Sequence, residues 1–359
     1  MKVVHLLPAL EQGGVETVVC NLVKALSDCE SVVVSKGGRL VKNVEAAGGR
    51  HIALDLKSKN PLTCFMRAGK LRKILRAEKP DLVCVHSRVP AWLYVGVRKI
   101  NSIIRLFDNS IISTPWISYA HGANSVSRYS EVMTRGNLVI VPSKFLADYL
   151  KANYKIGDAK IRIIPNSVDV KRFDPDNIDR AFVEQKRREW GIREGDHVTM
   201  AIGRITPVKG LDRLIRDFAK KSSQISNLKL VIVGGADRHH QKYLESLKKL
   251  ASTVHLHLSS SPIIFAGQQA KIPECISIAD EIVSANTTKP ETFGLSVIEA
   301  YAMNKPVRVA RRFGGVAEVV EAVEKSTRPT LREAVLDLYG PELWAARTLS
   351  AYREAVNMV

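Results

Sequence analysis

Lys289–Ala302, KPETFGLSVIEAYA, is the stretch from which the rest of the chain can be read. Pro290 and Gly294 mark a turn, and helical spacing begins after it. On a helical wheel Leu295, Ile298 and Ala302 form one apolar stripe, and Glu299 falls on the same side. A carboxylate beside a buried stripe is costly unless it is hydrogen-bonded. Glu291 lies just before the helix, near its amide-rich N-terminus, where anions bind. The segment suits a phosphate at the helix start, with two flanking carboxylates that accept hydroxyl hydrogens. A sugar nucleotide has that layout, a diphosphate between two polyols. The same residues also suit an ordinary helix with an N-terminal Glu and one satisfied core Glu.

The segment sits in a repeating frame. Upstream, strands are expected at Lys2–Leu7, Ser31–Ser35, His51–Leu56, Asp81–Val85, Trp116–Ala120, Leu138–Val141 and Lys160–Ile164. Helices are expected between them. One is Pro61–Glu78, whose Leu62, Phe65, Met66, Leu71, Ile74 and Leu75 read as its buried side. Turn residues dominate Pro165–Pro175, and a charged helical stretch, Arg180–Trp190, follows. Alternation then restarts with strands at Val198–Ile202, Lys229–Val233, Ile263–Ala266, Glu281–Ala285 and Pro306–Ala310. This pattern predicts an α/β protein with two doubly wound, Rossmann-like parallel sheets. The expected division is residues 1–165, a linker 166–190, residues 191–340 and a final segment 341–359. Ligands of such sheets bind outside the carboxyl ends of the strands, so the two sets of strand ends are expected to face one another across a cleft.

Composition narrows the class. The 359 residues are 45% apolar, normal for a globular chain with a full core. Five scattered cysteines without a CxxC pair argue against a disulfide framework and against a zinc site. No apolar run reaches membrane-span length, and MKVVHLLPALEQGG reads as a first strand and turn, so a soluble cytoplasmic chain is expected. The net charge is +18. Residues 57–105 hold twelve basic residues, Lys59, Arg67, Lys70, Lys73, Arg76, Arg88 and Arg105 among them, against only Glu78 and Asp81. Such a concentration points to an anionic partner or to a solvated basic face. Few aromatics accompany it, and there is no helix-turn-helix or RNP-like motif, so nucleic acid is not expected. Trp92, Tyr94, Arg98 and Lys99 nearby give the aromatic and basic mix favoured at a membrane interface.

Four other places carry chemistry. Gly13-Gly14 follows the first strand, where a bare backbone can approach a phosphate or make a tight turn. Gly203-Arg204 ends one strand of the second set and Lys209-Gly210 opens the next helix, which places two phosphate-binding cations at the sheet edge. His121 ends the Trp116–Ala120 strand, where it can hydrogen-bond a hydroxyl. The pairs His239-His240 and His255/His257 lack acidic or thiol companions at ligand spacing, so no metal is expected. Asp174-Pro175-Asp176 reads as turn chemistry.

Together these elements resemble one family. Gly13-Gly14 with Glu16, the PNSVD…RF linker, GR…KG at Gly203–Gly210, Gly234-Gly235, Ala279-Asp280, ETFGLSVIE, AMNKPV and Gly314-Gly315 occur in order over nearly the whole chain. They are similar to the family-4 retaining glycosyltransferases of the GT-B fold. HSRVPAW at His86–Trp92 resembles members that build bacterial lipopolysaccharide or related surface glycans. The resemblance implies transfer of a hexose from a nucleoside diphosphate sugar, UDP-linked, to a glycan or glycolipid acceptor, without a metal cofactor. It implies that Glu291 and His121 contact the donor sugar, with the amides of Phe293, Gly294 and Leu295 supporting sugar and phosphate. It implies that Glu299 binds the ribose, that Gly203, Arg204 and Lys209 hold the diphosphate, and that Gly13 and Gly14 approach it from the first domain. Residues near Gln269 would touch the base, and a helix at about Glu342–Val356 would cross back to the first domain. It further implies an acceptor side set against an anionic membrane surface, with Arg67, Lys70, Lys73, Arg76 and Arg88 on it. Two departures are Asn304, where the family has Gly, and a short Glu321–Arg328 stretch after Glu318. The alternatives are a sugar-nucleotide epimerase or hydrolase on a similar frame, and an inactive paralogue.

Overall fold

The computed structural model describes residues 1–358 apart from 12, 59, 61, 105–113, 223, 224, 226, 256–262, 287 and 288. Lys59 and Arg105 of the basic stretch, and His257, lie outside the described residues. The chain forms two compact units, Met1–Ser167 with Pro341–Val359, and Val168–Gly340.

The first unit is built on seven parallel strands: β1 (Lys2–Leu6), β2 (Glu30–Ser35), β3 (Arg50–Ala53), β4 (Leu82–Val85), β5 (Trp116–Tyr119), β6 (Leu138–Val141) and β7 (Ile161–Ile163). They lie in the order β3-β2-β1-β4-β5-β6-β7. Val4 of β1 is in register with Val32 on one side and Val83 on the other. These central strands are mostly apolar because helices cover both faces, and the buried polar residues on them are His5, Ser31 and Ser35. Strand order reverses between β1 and β4. The C-terminal helix Pro341–Asn357 packs on helix Gly14–Ala25 and on β4 and β5, and its own Tyr352 is fully buried.

The second unit holds β8 (His197–Ile202), β9 (Leu228–Val233), β10 (Ile263–Gly267), β11 (Glu281–Ser284) and β12 (Val307–Val309), all parallel, in the order β10-β9-β8-β11-β12. Alternate residues feed the two faces. Met200, Val231 and Val233 join one core with Val297 and Ile298, while Ala201, Leu230 and Ile232 join another with Leu214 and Ile215. The reversal here lies between β8 and β11, so GR…KG and ETFG, the loops that follow these two strands, are neighbours. Asn304, the residue in place of Gly, has φ 57, a left-handed conformation that Asn tolerates better than most residues. After helix Gly315–Glu324 the chain passes directly to helix Leu331–Tyr339, which Thr330 and Glu333 start with a capping box.

Three expectations for the basic region need correction. The helix expected at Pro61–Glu78 is observed at Cys64–Glu78, and it buries Ala68, Leu71 and Leu75. Leu62, Phe65 and Met66 are not on that side; they are 85%, 80% and 63% exposed. Arg67 takes the inward position instead and is only 8% exposed. Its guanidinium donates to the carbonyls of Ser58 (2.7 Å), Asn60 (3.0 Å) and Thr63 (3.3 Å), so it clasps the preceding loop and is not a surface cation. Five fixed donors surrounded by carbonyls make such burial tolerable. HSRVPAW opens a helix, Arg88–Ile104, that accommodates Pro90 in its first turn. That helix turns the expected interfacial aromatics inward. Tyr94 is fully buried with its hydroxyl donating to Thr114 O (2.8 Å), and the Trp92 indole donates to Tyr129 O (2.9 Å).

Candidate functional site

The second unit gathers most of the expected site residues around the β8/β11 reversal. Gly203 and Arg204 leave β8, the short turn Pro207–Lys209 follows, and Ser284 ends β11 with Asn286 two residues beyond it. Gly203, Arg204, Lys209, Ser284, Asn286 and Ser296 line one pocket there. Gly234, after β9, lies against this turn. A Cβ on it would stand 1.8 Å from Gly203 O, so only glycine lets the two loops touch.

Glu291 reaches the same place. Gly315 N donates to Glu291 O (2.8 Å), and a parallel bridge joins Glu291 to Gly314, which fixes the strand-to-helix turn. One carboxylate oxygen, Oε1, pairs with Lys209 Nζ. The other, Oε2, is buried with no partner among the described residues. It lies 3.7 Å from where a Cβ on Gly294 would stand. Gly294 itself has φ 92, and a Cβ there would meet Val316 at 2.6 Å, so the helix Leu295–Ala302 must start on glycine. Its first amides, at Leu295 and Ser296, have no carbonyl one turn back within the helix. Phe293 turns its ring into the core, edge-on to Tyr339 at 5.6 Å, and contributes only backbone to the site.

The electrostatics follow from burial. Burial and the nearby Arg204 guanidinium push the Lys209 ammonium down to about 8, and the Glu291 carboxylate against it opposes that shift. Arg204 is exposed. Glu299, one turn into the helix, is pushed up to about 7 by burial, with Arg172 opposing. A carboxyl raised above its ordinary 4.5 contributes its stability fully below about pH 4.5 and loses it as pH rises through 7. Glu299→Gln is therefore expected to match the parent's stability at pH 4 and to exceed it by about 1–3 kcal/mol at pH 8. Thermal melts across that range check it, and a gap that does not change with pH would contradict it.

Two further residues bear on the site. Gln269, expected at the base, follows edge strand β10 and donates its amide to Ala266 O within its own turn. Asn286 was not singled out from the sequence. It is 5% exposed, and neither its amide nitrogen nor its oxygen has a partner among the described residues. A polar residue closing a buried strand beside a reversal point is the signal that could have found it.

In the first unit Gly13 caps helix Gly14–Ala25 with extended backbone (φ −175), and the Glu16 carboxylate fills the space beside it. His121 follows β5, stacked on Tyr119 with ring centroids 4.6 Å apart, and its Nε2 is 3.0 Å from His86 Nδ1. Arg88 is half-buried, with its guanidinium donating to Ser130 Oγ (3.1 Å) and resting over the Tyr129 ring. Arg76 is half-buried, and Lys70 and Lys73 are exposed. Among the described residues, no helix is long and apolar enough to cross a membrane.

Known proteins show the same architecture. Residues 12–172 match the family described as Glycosyltransferase Family 4, and residues 182–328 match Glycosyl transferases group 1. The lipopolysaccharide 1,2-N-acetylglucosaminetransferase of Salmonella typhimurium is 26% identical over 268 residues, 73% of this chain and 62% of that protein. The chain likewise spans less than two thirds of several other curated relatives it matches. A glycosyltransferase structure from Rickettsia africae superposes with TM-score 0.80 at 24% identity, covering 99% of this chain and 98% of that one. The Anabaena protein HepE, in complex with UDP and glucose, superposes with TM-score 0.78 at 17% identity, covering 98% of this chain and 99% of that one. With both halves matched and the two parallel sheets in the same arrangement of strands and helices, the chain belongs to the family-4 glycosyltransferases of the GT-B fold.

Proposed function

We propose that the chain is a retaining glycosyltransferase that moves a hexose from a UDP-sugar to a lipopolysaccharide-core or other lipid-linked glycan acceptor. The observation that carries this reading is the convergence of Arg204, Lys209 and Glu291 at the start of helix Leu295–Ala302. There two groups, Glu291 Oε2 and the Asn286 amide, are buried and unpartnered among the described residues. Orphaned polar groups beside paired cations suit a ligand that brings both hydroxyls and phosphates. The Salmonella relative named for lipopolysaccharide and the UDP and glucose bound to HepE support the choice of substrates.

In this reading Glu291 and His121 hold the sugar, Glu299 takes the ribose hydroxyls, and Gln269 lies toward the base. Gly203, Arg204, Lys209 and the amides of Gly294 and Leu295 hold the diphosphate, which Gly13 and Gly14 also approach. The bond from the anomeric carbon to the phosphate oxygen breaks, and a bond from that carbon to the acceptor oxygen forms on the same face. The leaving phosphate oxygen takes the acceptor proton while Arg204 and Lys209 stabilise its charge, so the reaction is proposed as metal-independent. The test is incubation with UDP-hexoses, with and without lipid-linked acceptor. UDP release that requires acceptor, and an α-linked product from an α-linked donor, are expected. Conversion of the donor without acceptor would favour the epimerase or hydrolase reading.

The same reading includes peripheral attachment to anionic lipid on the inner face of the plasma membrane. Leu62, Phe65 and Met66 stand exposed in the loop and first turn of helix Cys64–Glu78, and Lys70, Lys73 and Arg76 follow on the next turns. Insertion of each apolar side chain would contribute about 1.5–3 kcal/mol when complete. Each cation near the surface adds about 1 kcal/mol. Co-sedimentation with anionic liposomes is expected to fall steeply with salt, and to drop in a Lys70/Lys73/Arg76→Glu variant. Equal binding to neutral liposomes, or no loss in the variant, would leave only a solvated basic face.

A further inference from the structure

Three histidines far apart in sequence form a continuous chain in the first unit. His5 lies on β1, His86 just after β4 and His121 just after β5. His5 is in register with Cys84, so His86, two residues on, projects from the same face of the sheet. His5 Nδ1 is 3.1 Å from His86 Nε2, and His86 Nδ1 is 3.0 Å from His121 Nε2. His5 and His86 are 0% and 3% exposed.

Each of these two contacts needs one proton between two nitrogens. Burial holds all three rings neutral, with His5 pushed down to about 4, His121 to about 3 and His86 well below its ordinary value. Three neutral rings carry three protons. Two occupy the contacts, and the third must sit at one end, on His5 Nε2 or on His121 Nδ1. His5 Nε2 is buried and has no partner among the described residues. A buried N–H without an acceptor is rarer and costlier than an under-used acceptor. The Cys84 sulfur, within 4.8 Å of a nitrogen on each of His5 and His86, accepts from Tyr352 Oη at 3.5 Å and leaves its own S–H as a weak donor in that pocket. The low-cost arrangement therefore runs one way: His5 Nδ1–H to His86 Nε2, His86 Nδ1–H to His121 Nε2, and the last proton on His121 Nδ1.

We infer that His5 and His86 are positioning residues that fix His121 as the Nδ1–H tautomer and thus as a neutral hydrogen-bond donor at the strand end. The sugar as its acceptor rests on the proposed function; the tautomer assignment does not. The Tyr119 ring stacked on His121 and the Tyr352 hydroxyl on Cys84 hold the chain from two sides.

The test is a long-range proton–nitrogen NMR spectrum of histidine-labelled protein without ligand. His121 is expected to show a protonated Nδ1 and an unprotonated Nε2, unchanged from pH 8 to pH 5. In His86→Phe, which keeps an aromatic ring in the stack, His121 Nε2 loses its donor, and the Nε2–H tautomer should appear. A parent spectrum with Nε2–H on His121, a charged His121 at pH 6, or a stoichiometric metal ion held by His5, Cys84 and His86 would each overturn the inference. The parent spectrum suffices if the variant fails to fold. Loss or absence of transferase activity would bear on the proposed function and leave the tautomer result standing.

Discussion

Lys209→Ala and Arg204→Ala are each expected to weaken nucleoside diphosphate binding by roughly 10–150-fold, the worth of one charge-assisted contact of about 1.5–3 kcal/mol. The two are not equivalent. Arg204 is exposed, so its loss should be felt mainly by the ligand. Lys209 is also the partner of Glu291 Oε1, and its removal leaves that oxygen, like Oε2, without a partner in a buried site. Lys209→Ala should therefore also cost about 1–3 kcal/mol of stability in the second unit. Lys209→Met, which keeps the aliphatic stem, should recover packing and not binding. Calorimetric titration of the three variants checks this. Parent-like binding in both alanine variants would remove the β8/β11 loops from the site.

Glu291→Ala is expected to give the larger loss in turnover. Its Oε2 is a buried, unpartnered acceptor beside Gly294 among the described residues, and the reading sets it against sugar hydroxyls, so the donor should be misplaced when it is gone. The loss should be roughly 10–150-fold in kcat/KM for the sugar nucleotide, with affinity for the free nucleoside diphosphate much less affected. Glu291→Gln keeps the shape and one acceptor and should fall between. Equal losses for sugar nucleotide and free nucleotide would assign Glu291 to the phosphates or to the fold.

How much of this was legible in the sequence depends on the distance over which the information acts. Gly203-Arg204, Lys209 and Glu291 come together because alternation sets a doubly wound sheet and the loops of adjacent strands at a reversal are neighbours. Spacing alone carries that. Arg67 was placed wrongly because its position is decided by three loop carbonyls, which no helical wheel contains. Leu62, Phe65 and Met66 are apolar at helical spacing yet face outward, since Ala68, Leu71 and Leu75 already fill the buried side. Helix Arg88–Ile104 carries Pro90 in its first turn, where a proline is tolerated although deeper in a helix it would be a break. The His5–His86–His121 chain depends on the register of strands about eighty residues apart, as does the contact of Cys84 with Tyr352 from the C-terminal helix.

The central claim is that the second unit's reversal point binds a nucleoside diphosphate. Thermal denaturation with UDP, GDP, ADP and their sugars tests it most directly. A ligand at 100 times its Kd stabilises the protein by about 2.7 kcal/mol. The account predicts that UDP and at least one UDP-sugar raise the melting temperature, and that the rise disappears in an Arg204/Lys209→Ala double variant. No shift with any of the nucleotides, or an undiminished shift in the double variant, would contradict it.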